Sequence, residues 1–401
     1  MKKTALMAFS ATVALAQVST FAAPPAALTP VSAAAPVALT SVSTASVSSS
    51  AEEAAPLAPI STVLLQNHPG APVGVDDVLL VPSASAGQKA AAFNWSNADN
   101  TEAYVLWNKF FAAAQYTGGG ATDAQTLASF GYMTSAFGAG LTLASRDSIT
   151  EDVADNKKTT HERLGEIKLF GSAALAPNFD AYASLMWKLG SAYAVEDNQG
   201  ESANPAPRVD SILLSAGLRK YPAANVEGVA WNVSTTDGIE YSRTVAGQDN
   251  YVTYIGRLDG QYGYVAITDG ITFLPGVDAY LHYANGPRDP DYGLVAGVSP
   301  YAAIILPLFD HLSLKGGARY SYEFTVIDHT VGKPSSFSDH DVITNTSGSF
   351  GLRYERKRWA VEAQVANSFL SNGPSSISGN TTNTSASGGL LYGFALTVNL
   401  K

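Results

Sequence analysis

Cysteine is absent from this chain, so no disulfide can staple the fold in an oxidising compartment. A basic excess is absent too. The formal net charge is −10, and −12 once Lys2 and Lys3 are removed, which argues against a nucleic-acid partner and leaves no cationic surface for anionic lipid. Beyond the first residues no apolar run reaches the ~18 residues that a spanning helix needs. The usual catalytic signatures are also missing. There is no Gly-x-Ser-x-Gly elbow, and Gly118-Gly119-Gly120 lacks the Lys-Ser or Lys-Thr of a phosphate loop. Asp328-His329 and Asp339-His340-Asp341 match no standard metal spacing, and two acidic loops, Glu196 to Glu201 and Arg288 to Asp291, read as solvated. The chain is therefore expected to be no enzyme and to need no cofactor or metal.

What is present begins with an export signal. Met1, Lys2 and Lys3 are followed by an apolar run to about Val18, and Thr20-Phe21-Ala22 fits the small-x-small cleavage rule. Residues 1–22 read as a signal peptide. Residues 23–100 follow as a tether rich in Ala, Pro, Ser, Thr and Val to about Thr62. The apolar patches Val63-Leu64-Leu65 and Val78-Leu79-Leu80-Val81 then leave the remainder open between more tether and a plug in a barrel mouth.

From residue 101 to 401 the chain alternates. Tyr392, Phe394, Leu396, Val398 and Leu400 interleave with Gly393, Ala395, Thr397, Asn399 and Lys401. Side chains on a strand point to opposite faces with period two, so one face is large and apolar and the other small or polar. Between Leu312 and Val326 every charge, Lys315, Arg319 and Glu323, falls on one face, opposite Leu314, Tyr320, Tyr322 and Phe324. Leu352 and Tyr354 oppose Arg353 and Glu355, and Trp359 and Val361 oppose Glu362, with Arg356-Lys357-Arg358 as the turn between. Ile167 and Leu169 oppose Glu166 and Lys168. Leu185 and Trp187 oppose Lys188, Ile212 and Leu214 oppose Arg219, and Val277, Ala279 and Leu281 oppose Asp278, Tyr280 and His282. With 19 Tyr, 16 Phe and 5 Trp, there are aromatics enough for interfacial girdles.

Pro177, Pro275 and Pro307 each start a Pro-x-[Phe/Val]-Asp motif, read as short turns because Pro cannot donate to a ladder; Tyr221-Pro222 to Val226 is a looser version. Longer polar connections alternate with them. Two regions are less clear: Tyr104 to Phe111 reads as a strand or a short helix, and the strands between Gly238 and Gly270 read as short.

The pattern resembles the outer-membrane β-barrel proteins of diderm bacteria over residues 101–401. The resemblance implies an all-β, transmembrane, antiparallel up-and-down barrel of about 14 strands, within roughly 12 to 16, with short periplasmic turns and long exterior loops. It implies the bacterial outer membrane as location, with outer-membrane lipid and the barrel assembly machinery as partners, although the final Asn399-Leu400-Lys401 replaces the terminal aromatic typical of such proteins. The expected function is a porin-like channel for passive diffusion of small solutes. The alternative is a closed barrel with structural or partner-binding duties. Glu166, Lys168, Lys188, Arg219, Lys315, Arg319, Glu323, Arg353, Glu355 and Glu362 are the lumen-lining candidates, either wetting a pore or pairing to brace a narrow barrel. A homo-oligomer is compatible with this reading.

Overall fold

The computed structural model describes residues 68–69, 78–96, 100–118, 123–152, 158–197, 200–201, 208–223, 226–243, 251–285, 291–330, 342–365 and 391–400. The signal peptide, most of the tether and most of the long connections lie outside them.

The described strands are β1 (Lys89–Ser96), β2 (Asn100–Trp107), β3 (Phe110–Gly118), β4 (Asp123–Met133), β5 (Phe137–Asp152), β6 (Lys158–Ala176), β7 (Phe179–Asp197), β8 (Gly200–Glu201) and β9 (Arg208–Lys220). They continue with β10 (Gly228–Arg243), β11 (Tyr251–Thr268), β12 (Ile271–Asn285), β13 (Asp291–Phe309), β14 (Leu312–Thr330), β15 (Val342–Arg356), β16 (Trp359–Val365) and β17 (Leu391–Asn399). The two-residue β8 extends only the far end of β7. The other sixteen pair antiparallel in chain order, and β1 pairs with both β2 and β17, which closes the ring. Closure matters in hydrocarbon, because an open edge would leave backbone groups without partners.

At one end consecutive strands are joined tightly. Asn108 (φ 57°), Asn178 (φ 58°) and Asp269 (φ 51°) occupy the left-handed region at three of these turns, and Gly270 (φ 81°) follows Asp269. Asn, Asp and Gly adopt this conformation at least cost, which suits two-residue hairpins. Further tight turns fall at Asp310-His311 and Lys357-Arg358.

The two faces of the wall follow the period-two reading. Leu143, Ile167, Leu169, Leu185, Trp187, Ile212 and Leu214 are 38–57% exposed on the outside. Ser129, Thr142, Ser172, Asp180, Ser211, Arg219, Lys315, Arg353 and Glu362 are buried on the inside. Aromatic pairs band the outer surface beside the tight turns: Phe110 against Tyr132, Tyr132 against Phe137, Phe179 against Trp231 and Tyr354 against Trp359, with centroids 5.5–6.1 Å apart. Amphipathic rings at one level of a barrel mark a membrane interface.

Several expectations are corrected. The wall starts at Lys89, so β1 and the start of β2 precede residue 101. Tyr104 to Phe111 is not a helix but the end of β2, a two-residue turn and the start of β3. Its alternation is blurred because both faces are apolar: Val105 and Trp107 point out, while Tyr104 and Leu106 join an inner apolar cluster with Val78. The strands around Gly238 to Gly270 are long, 16 and 18 residues. Pro275 opens no turn. It sits inside β12, whose turn is at Asp269-Gly270. Its missing N–H coincides with a gap in the β11–β12 register, which passes from Gly263↔Gly276 to Ala266↔Phe273.

Candidate functional site

The lumen is the candidate site, and the inward positions of the strands build it. Near the tight-turn end the charges are nearly dry. Lys315 Nζ donates to Glu362 Oε2 at 2.6 Å, reaching from β14 over β15 to β16. Arg353 Nη1 lies 3.7 Å from the same carboxylate oxygen, and its Nε donates to Glu355 Oε2 at 3.1 Å. The side chains of Lys315, Glu362 and Arg353 are only 4–6% exposed, so here two cations and one carboxylate are withdrawn from water together. Such a cluster holds only while each charge keeps its partner.

Higher along the strands the lining is wetter. Lys188 is 41% exposed and stands 3.8 Å from Glu166, which also attracts Lys168. His282 Nε2 is 2.8 Å from Asp259 Oδ1, with side chains 36% and 42% exposed, and the His282 ring stacks on Tyr280 at 4.5 Å. The Tyr280 hydroxyl donates to Glu323, and Arg319 pairs with Asp278 and lies over the Tyr301 ring. Arg219 is buried, its guanidinium over Tyr221. Neutral polar pairs complete the lining: Ser129 with Thr142, Ser215 with Thr236, Ser299 with Ser321, and Tyr182 donating to Asn232.

All ten sequence-derived candidates thus lie on the inner face. The structure joins Lys315, Glu362, Arg353 and Glu355 into one network and Glu166 with Lys188 and Lys168 into another. Arg319 and Glu323 are tied instead to Asp278 and Tyr280 of β12. The sequence had placed those two β12 residues on a polar face without singling them out. Asp328-His329 falls at the end of β14 and Asp339-His340-Asp341 in the β14–β15 connection; both lie outside the described side chains, and among the described residues no group of three His, Cys, Asp or Glu could hold a metal. His311 is exposed at its turn, edge-on to Tyr354.

The N-terminal segment also enters the lumen, and sequence periodicity gave no sign of how. His68, Pro69, Val78, Val81, Pro82, Ser83 and Ser85 are all buried. Val78 packs with Tyr104, Leu106, Phe111, Met133 and Phe170 on the inner wall. The Ser83 amide donates to Ser172 Oγ at 3.0 Å, and its hydroxyl meets Ser172 Oγ at 2.8 Å and donates to Asp180 Oδ1 at 3.1 Å. His68 Nε2 lies 3.3 Å from the Pro275 carbonyl oxygen, and the imidazole stands edge-on to Tyr301. Burial pushes the His68 pKa down to about 4, against the pull of hydrogen bonds to the Pro275 and Tyr264 backbone; nearby Arg219 lowers it further.

A closed antiparallel wall, greasy and aromatic-banded outside, charged and hydroxylated inside, fits only one medium around it. The chain is a membrane-spanning β-barrel of the bacterial outer-membrane type. No family model matches the sequence, and no curated protein matches it. Solved structures with a similar fold include CdiB from Acinetobacter baumannii (10% identity, 78% of this chain and 59% of that one, TM-score 0.41). The ferric preacinetobactin receptor BauA of Acinetobacter baumannii is another (11% identity, 69% and 53% covered, TM-score 0.40). OmpT of Vibrio cholerae is a third (9% identity, 67% and 95% covered, TM-score 0.30). The chain thus spans little more than half the length of the first two. At these scores the likeness adds nothing to what the closed wall itself shows.

Proposed function

We propose that the barrel is a porin-like channel through which small solutes diffuse passively across the outer membrane. The observation that carries this reading is a wetted lining. Lys188, Asp259 and His282 point inward and yet keep 36–42% of their side-chain surface in contact with solvent. A barrel braced only by internal pairing would have no reason to leave ionisable groups hydrated along its axis. Because Lys, Arg, Asp, Glu and His are interleaved around the lumen, solutes would meet a transverse field of mixed sign rather than a ring of one charge.

A second reading, a closed barrel with structural or surface-binding duties, is favoured by the dry Lys315–Glu362–Arg353 cluster and by the segment seated at the tight-turn end. Purified protein in planar bilayers separates the two. Discrete conductance steps support the channel, and a silent, correctly folded barrel supports the closed alternative. Heat-modifiable gel migration confirms folding in both cases.

A further inference from the structure

The outer face of the wall carries a carboxylate that contact with lipid does not explain. Along β10, Trp231, Val233, Thr235, Asp237, Ile239 and Tyr241 share one parity. It is the outward one, because Trp231 packs on Phe179 in the aromatic band and Ile239 is 37% exposed. Asp237 therefore stands on the lipid side. Its carboxylate lies over Gly256, its cross-strand neighbour on β11, where a Cβ would meet Asp237 Oδ1 at 3.9 Å.

Depth sharpens the point. Trp231 and the exposed Tyr262, paired across β10 and β11, belong to the aromatic level beside the tight turns. Tyr241, with Tyr254 of β11 and Tyr283 of β12, forms a second aromatic level towards the far end. On a strand tilted by about 40°, the run from Trp231 to Tyr241 rises about 25 Å, the height of a barrel's apolar band. Asp237 falls about 15 Å above Trp231 on that scale, well inside the band. Among the described residues it makes no hydrogen bond or ion pair, and no other described outward side chain between the two levels is charged. An ionisable residue inside the membrane is costly and calls for a partner.

The chemistry of the group selects that partner. Hydrocarbon disfavours the ionised form, so the side chain stands there as the neutral acid, with one O–H donor, acceptor capacity to spare and no water to meet either. Lipid tails offer nothing in return. A second carboxylic acid offers both, through two reciprocal O–H···O bonds. A two-fold axis along the membrane normal brings an outward residue beside it onto its own counterpart at the same depth, so the group that a second copy presents to Asp237 is another Asp237. Gly256 and Gly260 of β11, with Ala279 of β12 paired to Gly260, leave this side of the wall shallow enough for two backbones to approach closely.

We propose that the outer face of β10 and β11 is the interface of a homodimer within the membrane, with Asp237 of each copy hydrogen-bonded to its counterpart. The interface holds for an open and for a closed lumen alike, so it stands apart from the channel reading above.

The absence of cysteine makes the test clean. Lys357→Cys, at an exposed turn on the far side of the ring, lets the full chain take a single dye. The labelled protein is refolded into vesicles at falling protein-to-lipid ratios, and bleaching steps are counted for single particles. Particles with Asp237 in place should bleach mainly in two steps at densities where Asp237→Leu bleaches in one. The association constant should fall about tenfold in that variant, the scale of one or two hydrogen bonds between membrane segments. Leucine suits a lipid-facing position, so heat-modifiable migration should show the variant folded. Asp237→Asn, whose amide is both donor and acceptor, should remain dimeric. Gly256→Leu, which lays a side chain over the carboxyl, should weaken the dimer as Asp237→Leu does. Single steps at every density from folded protein that retains Asp237 would overturn the dimer and assign the carboxyl to a different membrane partner. Dimers of equal strength in Asp237→Leu would overturn the role of Asp237 and the proposal with it.

Discussion

The outer and inner faces of the same strands obey opposite rules. Along β14, Tyr320, Tyr322 and Phe324 are 38–41% exposed, while Lys315 on the alternate face is 3% exposed. In a water-soluble protein the large apolar residues would be the hidden ones and the lysine would reach solvent. The inversion teaches where the stability comes from. Outside, apolar surface is matched to hydrocarbon rather than packed away. Inside, polar groups are satisfied by one another, so specificity lies in paired charges and hydroxyls more than in a greasy core. The exception is the tight-turn end beneath β1 to β6, where Val78, Tyr104, Leu106, Phe111 and Phe170 form a small conventional core inside the barrel.

The sharpest way to break this contrast is to remove a charge from the dry inner face. Glu362→Ala removes the carboxylate to which the buried Lys315 donates, while Arg353 keeps Glu355, and should cost about 3–5 kcal/mol. The urea midpoint of the folded barrel in detergent should fall sharply. An unchanged midpoint would mean that the cluster is hydrated. Next in size is the outer face. Leu214, 57% exposed near the middle of β9, should tolerate arginine poorly, losing about 2–4 kcal/mol in a bilayer. The same change on a water-facing surface would stay within about 0.5 kcal/mol, so refolding into vesicles tells the two media apart.

Smaller again is a packing test on the inner face. Tyr182 crosses from β7 to Asn232 of β10 by lying over Gly217 of β9. Gly217→Ala should displace that ring and cost about 1–3 kcal/mol, while Gly217→Ala combined with Tyr182→Ala should recover part of it in a double-mutant cycle.

The smallest effect is one of pH and bears on the N-terminal residues seated in the lumen. His68 belongs to no strand. It faces Arg219 from β9, backbone carbonyls of β11 and β12, and Tyr301 of β13, which itself lies beside Arg319. Its pKa is lowered from 6.5 to about 4 when seated. A released segment would therefore take up a proton that the seated one refuses. Seating is fully favourable above pH 6.5 and weakens as pH falls towards 4. At pH 5.5 the released population should be about tenfold larger than at neutral pH, roughly 1.4 kcal/mol. His68→Asn should abolish that dependence, read as the protection of the N-terminal segment from added protease.

How much of this was legible beforehand depends on which force leaves a trace in the sequence. Alternation is imposed by two media on one strand, so the parity of Lys315, Arg353, Glu362, Arg219 and Lys188 was readable residue by residue. Where both faces meet apolar surroundings, as at Tyr104 to Phe111, the period disappears. Pro275 misled for a different reason. Proline usually ends a strand, and only the third dimension shows that β12 continues through it, paired with β13, with His68 beside its carbonyl. Partners two strands apart along the wall, such as Tyr280 for Glu323 and Asp278 for Arg319, depend on the register of β12 and β14 through β13, which no local pattern encodes. The seat of His68 and Ser83 was hidden in a low-complexity stretch whose residues pack singly rather than periodically.

The medium around the wall can be tested with the chain's own fluorophores. All five tryptophans are on the outer face: Trp107, Trp187 and Trp359 are 39–47% exposed, and Trp95 and Trp231 share the side of Phe93 and Val229. Protein refolded into vesicles containing brominated acyl chains should lose most of its tryptophan emission, while aqueous iodide should change it little. Emission indifferent to bromine in the lipid and quenched by iodide would put water against the outer face and contradict a membrane-spanning wall.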